Sequence, residues 1–277
     1  MNYSNCPKFQ IDNPIWKWQE GTYVIDGIQQ YFNEYMWLPQ KMSFFIQLTK
    51  NQEVKYIYEG EILRIDQVLD KEIKPEIMKN LVQIKHLRWE GQYGKNKEKI
   101  GKWIAYWKNQ DLNIGGYYEN GLKTGIWIDI EEDFWNDLQF LYTGEYKNGR
   151  RKGKWETMYR EYEENEFFKI GGGFYNEDGK KDGIWIDLHE NFQIWCYVIY
   201  IGEYHNDNRK GKWEIRYKSY QDQEFRIIGG GNYNEQGRKD GNWIDIIDAF
   251  DKQNSYIKKG HYQNGKPIGN FQEEKLN

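Results

Sequence analysis

Alanine is nearly absent from this sequence: Ala105 and Ala249 are the only two in 277 residues. With the strongest helix former missing and Trp, Tyr and Phe making up 18% of the chain, intrinsic preference lies with β structure. Cysteine is as scarce. Cys6 and Cys196 stand far apart, with no CxxC pair and no Cys/His cluster, which argues against a disulfide framework and a zinc site and fits a reducing compartment. Long apolar runs are missing too. The longest, "IWCYVIYI" at Ile194–Ile201, is far short of the roughly 20 residues of a membrane helix, and "MNYSNCPKFQ" lacks the cationic-then-apolar pattern of an export signal. A strong charge imbalance is also lacking, because a net charge of -4 gives no bulk attraction to nucleic acid or membrane. The expectation is a soluble, intracellular, cytoplasmic protein.

What the chain has in abundance is repetition. "GEYKNGRRKGKWE" at Gly144–Glu156 returns as "GEYHNDNRKGKWE" at Gly202–Glu214. Each copy runs Gly-x-Tyr, a spacer, then Gly-x-Trp. Seven copies occur, opening at Gly91, Gly116, Gly144, Gly173, Gly202, Gly231 and Gly260 and closing at Trp103, Trp127, Trp155, Trp185, Trp213, Trp243 and Phe271. From Trp127 onward every second copy recurs after 58 residues, so the unit is doubled: "GKW" at Trp103, Trp155 and Trp213, and "G-x-W-I-D" at Trp127, Trp185 and Trp243.

Each copy reads as a β-hairpin. Tyr142, Gly144 and Tyr146 alternate with Thr143, Glu145 and Lys147, and Trp155, Thr157 and Tyr159 alternate with Glu156, Met158 and Arg160, the period of two that a strand requires. Asn148-Gly149 between them accepts the positive φ of a tight turn. If Lys147 faces Lys152, Tyr146 faces Gly153 and Gly144 faces Trp155, so that a glycine leaves the space an opposing ring fills. Copies with one extra spacer residue need a bulge or a longer loop.

This pattern, Tyr-x-Gly-x-Tyr, then Asn-Gly, then Gly-x-Trp, resembles the MORN (membrane occupation and recognition nexus) repeat and is similar to the repeats of YwqK-type antitoxin proteins. The likeness spans Trp89 to Phe271, with a period of about 28 to 30 residues, longer than a MORN unit. It implies an array of hairpins that organises other proteins at a membrane or cytoskeletal structure.

The expected fold is all-β: an elongated antiparallel meander of tandem β-hairpin repeats in a single layer, fourteen strands covering about 65 Å, with a short upstream helix. Residues 1–70 form a β-rich N-terminal extension in which "WQEGTY" and "YEGEI" echo the motif. Residues 71–88 hold an amphipathic helix with Pro75 at its first position and Ile77, Leu81 and Ile84 at helical spacing. Residues 89–271 carry the seven hairpins, and residues 272–277 are a fraying polar tail. In the second subtype both faces are apolar, since Ile126, Ile128 and Ile130 oppose Trp127, and Ile184, Ile186 and Leu188 oppose Trp185. Something must cover that second face, and the helix is one candidate.

Three kinds of functional residue suggest themselves. The turns of the first subtype gather cations: Lys95, Lys97, Lys99 and Lys102; then Lys147, Arg150, Arg151, Lys152 and Lys154; then Arg209, Lys210 and Lys212. Folding would collect them into a basic edge with steps of about 19 Å, facing an acidic edge built from Glu131, Glu132, Asp133, Asp137, Glu161, Glu163, Glu164 and Glu166. Solvated turns are the simpler explanation of such charges; an anionic lipid, an acidic protein or another copy of the chain is the functional alternative. The tryptophans would form an aromatic row, which is the array's own core or else a surface for sugar or peptide. The repeated Asp129, Asp187 and Asp245, or Asp187 with His189, invite an acid/base reading. An active site is a single constellation, however, and these aspartates recur with the repeat, so turns or hairpin ends explain them better.

No nucleophile motif, metal-ligand spacing or phosphate loop is present, and no cofactor is expected. Nucleic acid is not an expected partner either. The expectation is a non-enzymatic scaffold with a protein partner, peripheral at a membrane or cytoskeletal structure, with homodimerisation or end-to-end association open to it through exposed terminal strands. Direct binding of anionic lipid through the basic turns is the alternative.

Overall fold

The computed structural model describes residues 6–9, 16–32, 37–131, 134, 139–160, 166–189, 192, 197–219, 222–247, 250 and 255–276. Those residues are almost entirely antiparallel β-strand, laid out as a meander of hairpins with one short helix. They divide into two compact units, residues 1–122 with 130–139, and residues 123–129 with 140–277.

The first unit opens with a four-stranded antiparallel sheet in sequence order: β1 (Gly21–Phe32), β2 (Trp37–Leu48), β3 (Glu53–Tyr58) and β4 (Glu61–Gln67). Alternation buries one of its faces, and Ile25, Phe44, Ile46, Leu48, Val54 and Tyr56 form the core there. Helix α1 (Leu81–His86) closes that core with Leu81 and Ile84. It is shorter than the spacing of apolar residues predicts. Asn80, not Pro75, begins it, since the Asn80 Oδ1 accepts from the backbone N–H groups of Val82 (2.9 Å) and Gln83 (3.3 Å), a standard N-cap. The helix therefore covers the four-stranded sheet. Short extended segments also protect β1, through Phe9 N–H to Val24 O and Ile28 N–H to Lys79 O, both 3.0 Å. The strands β5 (Leu87–Tyr93), β6 (Lys99–Trp107) and β7 (Gln110–Glu119) complete the unit. Residues 21–67 do not carry the Gly-to-Trp pairing of the repeats: a tight turn at Glu59-Gly60 joins β3 to β4, and Tyr58 pairs with Glu61.

The second unit contains Lys123–Asp129 of β8 (Leu122–Ile130), followed by β9 (Gln139–Lys147), β10 (Arg150–Arg160), β11 (Phe168–Tyr175), β12 (Lys181–Leu188), β13 (Tyr197–His205), β14 (Asn208–Lys218), β15 (Arg226–Tyr233), β16 (Lys239–Ile246), β17 (Tyr256–Gln263) and β18 (Lys266–Lys275). Each strand hydrogen-bonds to its successor. The predicted fraying tail is instead the end of β18. Lys259 pairs with Glu274, and Leu276 donates its N–H to Ser255 O (2.7 Å) while its side chain packs beside Val198, Ile215 and Tyr217.

The hairpin register differs from the predicted one in an instructive way. In β13 and β14 the loop is only Asn206-Asp207, so His205 pairs with Asn208 and Tyr204 with Arg209, not with the motif glycine. The same reading moves Arg150 and Arg151, expected in a turn, into β10. A bulge between Ile201 and Glu203 then takes up the surplus residues, and the glycine of Gly-x-Trp supplies it: Gly211 has φ +63° and Gly153 φ +68°. After the bulge, glycine and ring meet as predicted. Trp213 lies directly across from Gly231 and also fills the space beside Gly202, where a Cβ would collide with the indole; Trp155 is held the same way between Gly144 and Gly173.

The two glycines of one motif therefore do different work, and substitution separates them. Gly202→Ala forces a methyl into the Trp213 ring and is expected to destabilise the protein by about 3 kcal/mol. Gly211→Ala meets no neighbour and costs only the left-handed backbone, about 1–2 kcal/mol. Urea unfolding of the two variants, with Gly202→Ala relieved by Trp213→Leu but Gly211→Ala not, checks this.

Candidate functional site

Alternation gives the second unit's sheet a ring face, with the Gly, Trp and Tyr of the motif, and an open face. On the ring face every tryptophan is buried: Trp127, Trp155, Trp185, Trp213 and Trp243 are at most 5% exposed. Tyrosine edges flank each ring, as in Tyr204–Trp213 (centroids 5.1 Å, 88° between planes) and Trp213–Tyr233 (5.9 Å, 79°). Indole N–H groups donate to backbone carbonyls of the preceding strand, Trp213 to Glu203 O and Trp155 to Glu145 O at 3.2 Å. This row is the array's core.

Over each ring lies a cation four residues earlier in sequence: Lys123 on Trp127, Arg151 on Trp155, Lys181 on Trp185, Arg209 on Trp213 and Lys239 on Trp243, at 4.4 to 4.5 Å from the centroid. Lys99 repeats the arrangement on Trp103 in the first unit. These cations meet the aspartates of "W-I-D". Asp187 accepts from Tyr204 Oη and Lys181 Nζ, both at 2.6 Å, and from Arg209 Nη2 at 3.3 Å. Arg209 also donates to Tyr204 Oη (3.1 Å) and, on the next hairpin, to Tyr233 Oη (3.0 Å). Asp129 receives Tyr146 (2.7 Å), Lys123 (2.5 Å) and Arg151 (3.2 Å). Asp245 has Tyr262 and Lys239 alone, because Pro267 stands where an arginine would complete the cage. As predicted, the aspartates sit at strand ends, each the last residue but one of its strand, and all three are held by structural partners. His189 stacks on Tyr200.

Burial, opposed by the Arg151 hydrogen bond and reinforced by the Asp129 charge, pushes the Tyr146 hydroxyl up to about 12. Tyr204 is raised for the same first reason, with Asp187 adding to it.

The structure distributes the eight predicted anion-binding residues unequally. Arg151 and Arg209 belong to the cages and are a correction to the reading of these side chains as free turn charges. Four of the lysines face carboxylates: Lys152 with Glu177 (2.9 Å), Lys154 with Glu156 (2.8 Å), Lys210 with Glu235 (3.1 Å) and Lys212 with Glu214 (3.3 Å). Lys147 and Arg150 are exposed beside the Asn148-Gly149 turn. Of the acidic edge, Glu131 and Glu166 are described, while Glu132, Asp133, Asp137, Glu161, Glu163 and Glu164 lie outside the described residues. Among the described residues no three His, Cys, Asp or Glu side chains gather where a metal ion would bind, and no helix is long and apolar enough to cross a membrane.

The open face is different in kind. Ile126 is 69% exposed, Ile184 65% and Phe174 53%. Phe174 pairs with Lys154 on one side and Asp182 on the other, and Ile184 pairs with Glu203. Large apolar side chains thus stand in water between charged neighbours.

The cages were readable in the sequence as Lys/Arg-x-Gly-x-Trp, a cation at fixed distance before each tryptophan; grouping the same residues by turn hid that spacing. No protein-family model matches the chain. No curated protein matches it either.

Removing one cage member leaves the others half-buried and short of a partner. Asp187→Asn is expected to destabilise by about 3 kcal/mol, whereas Lys212→Ala, on an exposed pair, changes stability by no more than about 0.5 kcal/mol; urea titration measures both. Alkali gives a second check. The unfolded chain releases the tyrosine proton near pH 10 and folded Tyr146 only near pH 12, so Tyr146 contributes stability that is intact below pH 10 and lost as pH rises towards 12. Tyr146→Phe should flatten that part of a stability-against-pH curve.

Proposed function

We propose that this chain is a non-enzymatic repeat scaffold that binds another protein on the open face of its hairpin array. One observation carries the reading: the ring face satisfies itself, ring against glycine and cation against aspartate, while the opposite face leaves Ile126, Phe174 and Ile184 exposed. A sheet needing only one buried face for stability has the other available for contact. The resemblance of its motif to MORN repeats supports a cytoplasmic scaffold peripheral to a membrane or cytoskeletal structure.

Direct binding of anionic lipid is the weaker reading. Six of the eight candidate cations have partners within the sheet, which leaves Lys147 and Arg150 to carry it.

Affinity capture from the native cell should recover a partner with the wild-type chain and lose it with Ile126→Asp/Phe174→Asp/Ile184→Asp, a variant that should fold because these positions are solvated. Retention of every captured protein by that variant would remove the reading. Sedimentation with phosphatidylserine vesicles separates the alternative: binding abolished by Lys147→Glu/Arg150→Glu would favour lipid.

A further inference from the structure

The ring face holds more than a packed core. From Trp127 through Tyr146 and Trp155 to Trp243 and Tyr262, indole and phenol alternate without interruption, and each ring centroid lies 4.9 to 6.4 Å from the next. Indole and phenol are among the side chains that most readily lose one electron, and an electron passes easily between rings in van der Waals contact. The cages decide where such a loss comes to rest. A cation 4.4 to 4.5 Å over each indole opposes positive charge on that ring. The indole N–H groups of Trp155, Trp185, Trp213 and Trp243 donate at 3.0 to 3.2 Å to backbone carbonyls, which accept a hydrogen bond but do not take up a proton. Tyr146, Tyr204 and Tyr262 instead donate their hydroxyl protons, at 2.6 to 3.0 Å, to carboxylates that can take them: Asp129, Asp187 and Asp245.

From these contacts we infer that the ring row carries oxidising equivalents along the second unit and collects them on Tyr262. The inference concerns the face opposite the proposed protein-binding surface and is independent of it. A small one-electron oxidant from solution, of the class of the azide or carbonate radical, takes an electron from an indole and becomes its anion. The indole radical cation is restored by an electron from the tyrosine beside it. In that step the tyrosine O–H bond breaks, the proton forms an O–H bond with the aspartate, and a neutral tyrosyl radical remains beside a neutral carboxyl group. Protonation releases the ion pairs of the aspartate, so the cages resist it unequally. Asp129 and Asp187 each hold a lysine and an arginine, whereas Asp245 holds Lys239, with Pro267 in the place of the arginine. Tyr262 is therefore the tyrosine whose proton moves at least cost. Beyond it Phe271 replaces the tryptophan of the repeat, 5.2 Å away, and a benzene ring is far harder to oxidise, so the row stops there.

Pulse radiolysis of the full chain in azide solution tests this. Tryptophanyl absorption formed in the pulse should give way to tyrosyl absorption at a rate independent of protein concentration. A nitroso spin trap, located by peptide mass spectrometry, should mark Tyr262. Trp243→Phe keeps a ring beside Gly231, as Phe271 does beside Gly260, but interrupts the row. Checked for folding by circular dichroism, it should lose most of the Tyr262 adduct and gain adduct on Tyr204. Trp18→Phe, outside the row, should leave the Tyr262 adduct unchanged. Pro267→Arg, at an exposed position, supplies the missing arginine to the third cage and should divide the adduct between Tyr262 and Tyr204. Wild-type adducts that follow exposure, heaviest on Tyr31 and Tyr117 at 52% and 55% exposed, would overturn the inference whatever the variants do. A Tyr262 adduct undiminished in folded Trp243→Phe, or wholly retained in Pro267→Arg, would overturn it as well.

Discussion

An indole ring laid flat on a β-sheet needs a hole in the strand beside it, and glycine is the residue that leaves one. In the second unit the need is doubled, since Trp155 and Trp213 each lie between glycines of both neighbouring strands. One hairpin supplies only one of those glycines. No hairpin can therefore bury its own tryptophan, and each owes the completion of its core to the next. The cages extend the same dependence to polar groups, because the guanidinium of Arg209 bonds the tyrosine of its own hairpin, the tyrosine of the following one and the aspartate of the preceding one. Apolar packing and charge pairing thus link the same neighbours.

Concentrating both on one side leaves the other side chemically free. Gly, Trp and Tyr occupy the ring face in nearly invariant form, while equivalent positions of the open face change between repeats: Ile126 and Ile184 correspond to Asn242, Phe174 to Asn232, and Lys154 and Lys212 to Asn270. A sheet whose stability resides on one face can vary the other without penalty to the fold.

Much of this was legible in the sequence, and what was missed has identifiable causes. Strand alternation and the Gly-to-Trp spacing identified hairpins, their number and the ring-into-glycine contact, because each depends on residues close together in the chain. The register was misjudged by two residues because a bulge glycine is indistinguishable, in sequence, from one that makes room for a ring; Gly211 does the first and Gly202 the second. Arg151 and Arg209 read as turn charges for the same reason, whereas the shorter loop draws them into the strand and over the indole. Pro75 suggested a helix start, but an asparagine five residues later caps the backbone N–H groups with its own side chain. Which apolar residues stay in water could not be seen at all, since Ile184 and Ile186 read alike and only Ile184 is exposed.

From Trp127 to Trp243 lysine and arginine alternate over successive tryptophans, which sets a rule for how that stretch can lengthen. An arginine spans two hairpins and a lysine serves one aspartate, so adjacent modules are unlike and interlock in pairs. Within that stretch, gain or loss of a single module would abut two arginine-bearing hairpins or two lysine-bearing ones and change the number of cations that reach an aspartate. Duplication in steps of 58 residues preserves every junction, which makes the pair of hairpins the heritable brick of the array.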